Sequence, residues 1–123
     1  MPDEKTAVTC AVALKPLPNS SAAFTHDFER YQFYHMGRFQ GCPPVYTYHA
    51  VAWTLRDRLM SDWMNTYAAR DQPGKRRAYY LSLEFLIGRA LSNHVLNLGV
   101  DGPTRDALQG IGQTLEAVAD EEA

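Results

Sequence analysis

The spacing of apolar side chains predicts an amphipathic helix over residues 24–39. These side chains recur every three or four positions, at Phe24, Phe28, Tyr31 and Tyr34. Thr25 is a candidate N-cap, and Gly37 or Gly41 would end the helix. The pair Pro43-Pro44 excludes a helix that continues through this region, because proline lacks an N–H and restricts the residue before it.

A second, longer helix is predicted from about residue 47 to residue 70. Its apolar positions step along one face, at Tyr48, Val51, Ala52, Leu55, Leu59, Trp63 and Tyr67. A helix of this length would extend roughly 35 Å at 1.5 Å per residue. Asp71-Gln72-Pro73-Gly74 then has the composition of a turn.

Residues 77–85 are predicted to form one buried strand. The segment is short, apolar and aromatic, and it follows the turn and the basic cluster Lys75-Arg76-Arg77. We interpret the cluster as a solvated edge rather than a phosphate site. A strand buried on both faces needs neighbours for its backbone, and the sequence shows no second convincing strand. We therefore expect it to pair with something outside these residues.

Three shorter helices are expected in the last third of the chain. The first follows Gly88, buries Leu91, Val95 and Leu98, and stops at Gly99. The second starts at Asp101-Gly102-Pro103, where proline suits the first turn. Leu115 and Val118 belong to the third, which ends in Asp120-Glu121-Glu122. By contrast, residues 1–23 show no period and are predicted to be a flexible tail, which leaves residues 24–123 as the folded part.

Composition and charge exclude several classes of protein. The chain has 123 residues, 46% of them hydrophobic, and a net charge of −2, which is unlike a general nucleic-acid binder. No apolar run is long enough to cross a bilayer. The short apolar run Ala7–Leu14 lacks the basic residues that precede the apolar region of a signal peptide. We therefore expect a cytoplasmic protein. Cys10 and Cys42 have no metal-binding spacing and are expected to be reduced thiols.

Candidate chemistry is sparse. The sequence contains no phosphate-binding loop, zinc-protease motif or nucleophile elbow. The four histidines, His26, His35, His49 and His94, are scattered, which favours structural roles. We expect the many aromatics at helical spacing to pack in the core rather than to stack on sugars. Glu84, at the end of the predicted strand, needs a partner: Arg89 in a structural ion pair is favoured over a position in a ligand crevice.

The stretch from Tyr79 to Asn93, continued through Asn97-Leu98-Gly99, is very similar to a signature of the glycogen, starch and maltodextrin (α-1,4-glucan) phosphorylases. Residues 55–59 with Trp63 resemble the helix that precedes this signature, and residues 107–116 resemble the helices that follow it. The resemblance covers about residues 24–123. It implies an α/β fold in which this chain is the N-terminal, mostly helical part of a two-domain, Rossmann-like (GT-B type) phosphorylase.

The resemblance also implies an activity. The family transfers a glucosyl unit from an α-1,4-glucan to inorganic phosphate with retention of configuration, giving glucose 1-phosphate, and its members are usually homodimers. It uses pyridoxal phosphate bound to a lysine far downstream, so Lys5, Lys15 and Lys75 are not candidates. In the family, a glycine-rich loop follows the acidic segment that corresponds to Asp120-Glu121-Glu122, so this loop is expected beyond Ala123. No catalytic, cofactor-binding or metal-binding residue is therefore assigned here, and this piece alone is expected to be inactive.

Glu84 and Arg89 are the near-site residues that the resemblance implies, on the cofactor side of the cleft and without a chemical role. Two departures favour an unregulated, bacterial-type member. Ser20 and Ser21 lack the basic neighbours of a phosphorylation switch, and residues 64–68 after Trp63 do not match the family's AMP-binding pattern. The alternative is a non-catalytic helical interaction module, or a relic, that pairs with a full-length phosphorylase. The preferred glucan stays open.

Overall fold

The computed structural model describes residues 15–38, 43–85 and 87–122. Within these ranges the chain forms five α-helices, a π-helical turn and no strand. The helices are α1 (Ser21–Arg30), α2 (Pro44–Arg70), α3 (Leu91–Asn97), α4 (Asp101–Gln109) and α5 (Leu115–Ala119), and the π-helical turn (Tyr31–His35) continues α1. The predicted helical part is therefore confirmed. Cys10, Cys42, Lys5, Gly41 and most of the predicted tail lie outside the described residues.

α1 begins earlier than its apolar spacing indicates. Ser20, rather than Thr25, is the N-cap, and its hydroxyl accepts a hydrogen bond from the Ala23 amide at 3.3 Å. Phe24 and Phe28 are buried as predicted, but Tyr34 is 86% exposed. The wider π-helical turn changes the spacing after Arg30 and takes Tyr34 away from the core face. The helical segment ends before Gly37, which has a φ of +63°.

α2 has the predicted length, and the predicted core face is confirmed in its first half, at Val51 and Leu55, but not in its second half. Proline occupies its first turn, where a missing N–H costs nothing. Its first half is buried, through Thr47, Ala50, Val51, Thr54, Leu55 and Arg58. Trp63 and Tyr67, which were expected in the core, are 56% and 38% exposed. Their burial needs a neighbouring element, and among the described residues none covers the second half of α2.

The last three helices complete one small core with α1 and the first half of α2. Leu91 and Val95 of α3 and Leu115 and Val118 of α5 are buried, as predicted. Gly99, with a φ of +67°, ends α3 in the left-handed conformation that glycine adopts without strain. Packing is closest between α1 and α4, while α5 packs against α2.

The predicted buried strand at residues 77–85 is wrong for this structure. No strand is present there, and Tyr79, Leu81 and Phe85 are 80%, 95% and 85% exposed. A strand is defined by hydrogen bonds to a neighbouring backbone, and within the described residues no second extended segment lies beside this one. The apolar composition is present, but the partner that would bury it is not among these residues.

Candidate functional site

The structure does not join Glu84 to Arg89, so the predicted ion pair is wrong. Arg89 donates instead to Asp120, with 2.6 Å between Nη1 and Oδ1. Glu84 is exposed, and its backbone amide donates to the Ser82 hydroxyl at 3.0 Å. Asp120 is 31 positions from Arg89 and is brought to it because the end of α5 lies beside the start of α3.

Glu122 strengthens the same junction between α3 and α5. Its Oε2 accepts hydrogen bonds from the amides of Ala90 and Leu91, both at 2.9 Å. These amides are at the start of α3, where backbone N–H groups have no partner inside the helix and favour a negative charge. From the sequence, Glu122 was expected only to end the last helix, together with Asp120 and Glu121. Its run of acidic residues was visible, but its partner was not.

A groove of about 210 Å³ lies next to this junction. Its walls are formed by Tyr48, Ala52, Leu55, Arg56, Leu59, Ala90, Leu91, His94 and Glu122. Burial raises the pKa of the Tyr48 hydroxyl, and the nearby charge of Glu122 raises it further. Most of the lining is apolar. The groove is thus suited to holding an apolar side chain rather than to catalysis.

A second groove, of about 350 Å³, lies between the π-helical turn and α2 and contains Tyr31, His35, Met36, Trp53, Arg56 and Asp57. The Tyr31 hydroxyl donates to Asp57, and Arg30 is 3.3 Å from the same carboxylate. Burial, followed by this hydrogen bond, raises the pKa of Tyr31. The ring centres of Trp53 and Tyr31 are 6.1 Å apart, and the guanidinium carbon of Arg56 lies 5.1 Å from the centre of the Trp53 ring. These groups bind one another, which favours a structural role.

Two of the four histidines pack against tyrosines. His35 lies 4.8 Å from the ring of Tyr31, and His49 lies 5.2 Å from the ring of Tyr48. Among the described residues, no group of three or more His, Cys, Asp or Glu side chains could hold a metal ion. No helix in these ranges is long and apolar enough to cross a membrane.

The described residues do not fit pyridoxal phosphate. The cofactor needs a lysine in a closed site and a cradle for its phosphate. Lys15 and Lys75 are both exposed and lie outside the helices. In the basic cluster, Arg77 is 2.9 Å from Asp71 in an exposed ion pair. No step of a cofactor reaction is therefore assigned to these residues.

The Tyr79–Asn93 signature predicts a family for this helical chain, and comparison with known proteins tests that prediction. The H isozyme of α-glucan phosphorylase from Solanum tuberosum is 36% identical over 117 residues, 94% of this chain. The L-2 isozyme from the same plant is 48% identical over 75 residues, 61% of the chain. Glycogen phosphorylase 2 from Dictyostelium discoideum is 31% identical over 121 residues, 98% of the chain.

This chain belongs to the α-glucan phosphorylase family, as its sequence indicated. It spans only 14%, 8% and 12% of the length of these three relatives, in the order given. No protein-family model matches it.

Proposed function

We propose that this chain is part of an α-1,4-glucan phosphorylase, a glycosyltransferase that uses inorganic phosphate to release glucose 1-phosphate from glycogen or maltodextrin. The observation that carries the proposal is the 36% identity to the H isozyme over 117 residues. Pyridoxal phosphate, its lysine and the two facing GT-B domains belong, in this proposal, to the whole protein. So do homodimer formation and a cytoplasmic location; one relative is named cytosolic and another chloroplastic.

The described residues would contribute a support rather than a reacting group. Glu84 and Arg89 are proposed to lie near the cofactor side of the cleft in the whole protein. Asp120 and Glu122 would hold this region in place, because they accept three hydrogen bonds, from Arg89 and from the amides of Ala90 and Leu91. These bonds fix the direction in which the signature segment enters α3.

A hybrid enzyme tests the proposal. The region of the potato H isozyme that matches these residues is replaced by them, and release of glucose 1-phosphate from maltodextrin is measured. We expect phosphorolysis that requires pyridoxal phosphate. A folded, cofactor-loaded hybrid without activity would contradict the proposed function. Phosphorolysis by the 123-residue chain alone, with added cofactor, would contradict the assignment of the catalytic groups to other parts of the protein.

Arg89 can be tested in the same hybrid. Arg89→Ala should lower kcat/KM about tenfold, because small displacements near a reacting centre reduce rates steeply. Arg105→Ala is the matched control, since Arg105 also makes exposed ion pairs, with Asp101 at 2.9 Å and Glu116 at 2.7 Å. Equal activities of the two variants would remove Arg89 from the near-site assignment.

A non-catalytic module that pairs with a full-length phosphorylase is the second candidate. Tyr80, Leu81 and Leu83, which are 88%, 95% and 94% exposed, would then be the surface that pairs, although a self-sufficient module should not leave such an apolar segment uncovered. Sedimentation of the chain mixed with the intact potato H isozyme separates the candidates. A stoichiometric complex supports the module, and independent sedimentation removes it.

A further inference from the structure

Within the described part of residues 79–89, Arg89 receives no support from the chain that precedes it. No backbone–backbone hydrogen bond forms in this stretch. Gly88, with a φ of +120°, turns the chain immediately before Arg89 in a conformation that other residues rarely adopt. A fixed position of Arg89 therefore depends on the residues that follow it and on contacts from other helices.

The end of α5 supplies those contacts from an anchored position. Leu115 and Val118 of α5 are 4% and 0% exposed, so this short helix is fixed to the core. Asp120 follows α5 directly, and its Oδ1 accepts a hydrogen bond from Arg89 Nη1 at 2.6 Å. Glu122, two residues later, accepts from the two amides that follow Arg89. The end of α5 thereby holds both the guanidinium and the adjacent backbone.

Each of the two carboxylates fixes a different part of Arg89. The Arg89 and Asp120 side chains are 57% and 75% exposed, and an ion pair so exposed contributes little to stability. Its main consequence is the direction of the guanidinium, which is set by one short charge-assisted bond. The amides that donate to Glu122 belong to Ala90 and Leu91, so this carboxylate fixes the backbone immediately after Arg89. Loss of either contact should displace the guanidinium without unfolding the chain.

A single oxygen of Glu122 makes both of its contacts. Its Oε2 lies 2.9 Å from each of the two amide nitrogens. The geometry therefore requires an acceptor oxygen at the end of a side chain of this length, and a neutral oxygen could satisfy it. Two substitutions differ in this respect. Glutamine keeps the length and one carbonyl oxygen, whereas aspartate keeps the charge but is one methylene shorter.

We propose that Asp120 and Glu122 are positioning residues of the phosphorylase, which hold the Arg89 guanidinium in the direction that the reaction requires. The inference rests on the proposed function, in which Arg89 lies near the cofactor side of the cleft, and it adds the residues that orient it. Neither carboxylate touches a reacting group, since both act through Arg89. Residues that act in this way alter the rate through small displacements of the group that they hold.

A double-mutant cycle on activity tests the proposal in the hybrid enzyme described above. Asp120→Ala and Glu122→Ala should each lower kcat/KM for maltodextrin phosphorolysis about fivefold, because Arg89 is displaced. In the Arg89→Ala background, the same substitutions should change kcat/KM by less than about twofold, because the side chain that they orient is absent. A purely structural role would lower activity by the same factor in both backgrounds, and that result would overturn the proposal.

Substitutions at Glu122 separate the acceptor oxygen from the charge. Glu122→Gln should keep kcat/KM within about twofold of the unaltered hybrid, whereas Glu122→Asp should lower it as much as Glu122→Ala. Glu116→Ala is the matched control, since it removes another exposed carboxylate of α5, which pairs with Arg105 at 2.7 Å. This control should leave kcat/KM unchanged. Rescue by aspartate and not by glutamine would overturn the acceptor role of Glu122.

Failure of the proposed function and failure of this inference give different results. A folded, cofactor-loaded hybrid without phosphorolysis would overturn both. An active hybrid in which Glu122→Ala keeps full activity would overturn the positioning role alone. If the hybrid does not fold, the 123-residue chain gives a direct measurement. The nitrogen-15 resonances of the Arg89 guanidinium should shift in Glu122→Ala and not in Glu116→Ala, and unchanged resonances in Glu122→Ala would show that Glu122 does not position Arg89.

Discussion

Arg58 joins several parts of the fold. Its side chain is 4% exposed, although arginine is rarely buried without partners. The guanidinium donates to Asn19 Oδ1 at 3.1 Å, Pro18 O at 2.8 Å and Thr54 O at 3.0 Å, lies 3.0 Å from Asp27 Oδ2, and stacks 3.9 Å from the centre of the Phe24 ring. One side chain thus ties the segment before α1, α1 itself and α2 together.

Arg58→Ala should therefore destabilise the chain severely. It leaves the Asp27 carboxylate, which is 15% exposed, without its cation, and we expect the free energy of unfolding to fall by about 3 kcal/mol. Urea denaturation followed by circular dichroism measures the change. The matched control is Arg56→Ala, which removes an exposed arginine from the same helix and should cost less than about 1 kcal/mol. Equal losses would show that the contacts of Arg58 contribute little.

Tyr31 gives the stability a dependence on alkaline pH. Burial and the hydrogen bond to Asp57 raise its pKa in the folded chain, while an unfolded tyrosine titrates near 10. Above about pH 10 the unfolded state releases this proton first and thus binds fewer protons than the folded state, so the free energy of unfolding falls as pH rises. Tyr31→Phe should cost about 1 kcal/mol at pH 7 and flatten this decline. Tyr34→Phe, on an 86% exposed ring, is the control for both effects.

At the scale of the helices, local signals predicted most boundaries correctly. Pro44 at the start of α2 and Gly99 after α3 act through their own backbone geometry, which is the same in any surroundings. The π-helical turn and the capping of α3 by Glu122 were missed. The capping depends on atoms distant along the chain, since Glu122 accepts from an amide 31 positions away. No periodic pattern encodes such a contact.

Glu122→Ala should loosen the start of α3. The substitution leaves the amides of Ala90 and Leu91 without their acceptor, and loss of a helix cap costs about 1 kcal/mol. Hydrogen exchange of these two amides should become faster while the amides of α4 are unchanged. Glu121→Ala removes an exposed carboxylate one position earlier and should alter neither. Unchanged exchange in Glu122→Ala would mean that packing alone holds the helix start.

For the whole molecule, two wrong predictions share one cause. The second half of α2 and residues 77–85 were both expected to be buried, and both are exposed. The apolar pattern at Trp63, Tyr67 and Leu81 was correctly recognised. Burial also requires a second surface that packs against the first, and the pattern of one segment does not show whether that surface is present. The predicted Glu84–Arg89 ion pair was wrong for the same reason, because Arg89 bonds to Asp120 at the end of another helix. Family membership depended on none of these contacts and could be predicted.

Hydrogen exchange along the chain should distinguish the buried core from the exposed segment at residues 79–85. Within the described part of residues 79–85, no backbone–backbone hydrogen bond forms, so these amides should exchange almost as fast as in an unfolded peptide. Amides at the buried centre of α2, from Val51 to Leu55, should open only with the whole core. The exposed amides of α2 at Asn65 and Thr66 form the control, since they are helical yet uncovered. Slow exchange at Leu81 and Leu83 in the monomer would contradict the exposed segment, whereas slow exchange that appears only at high concentration would mean that copies of the chain cover it.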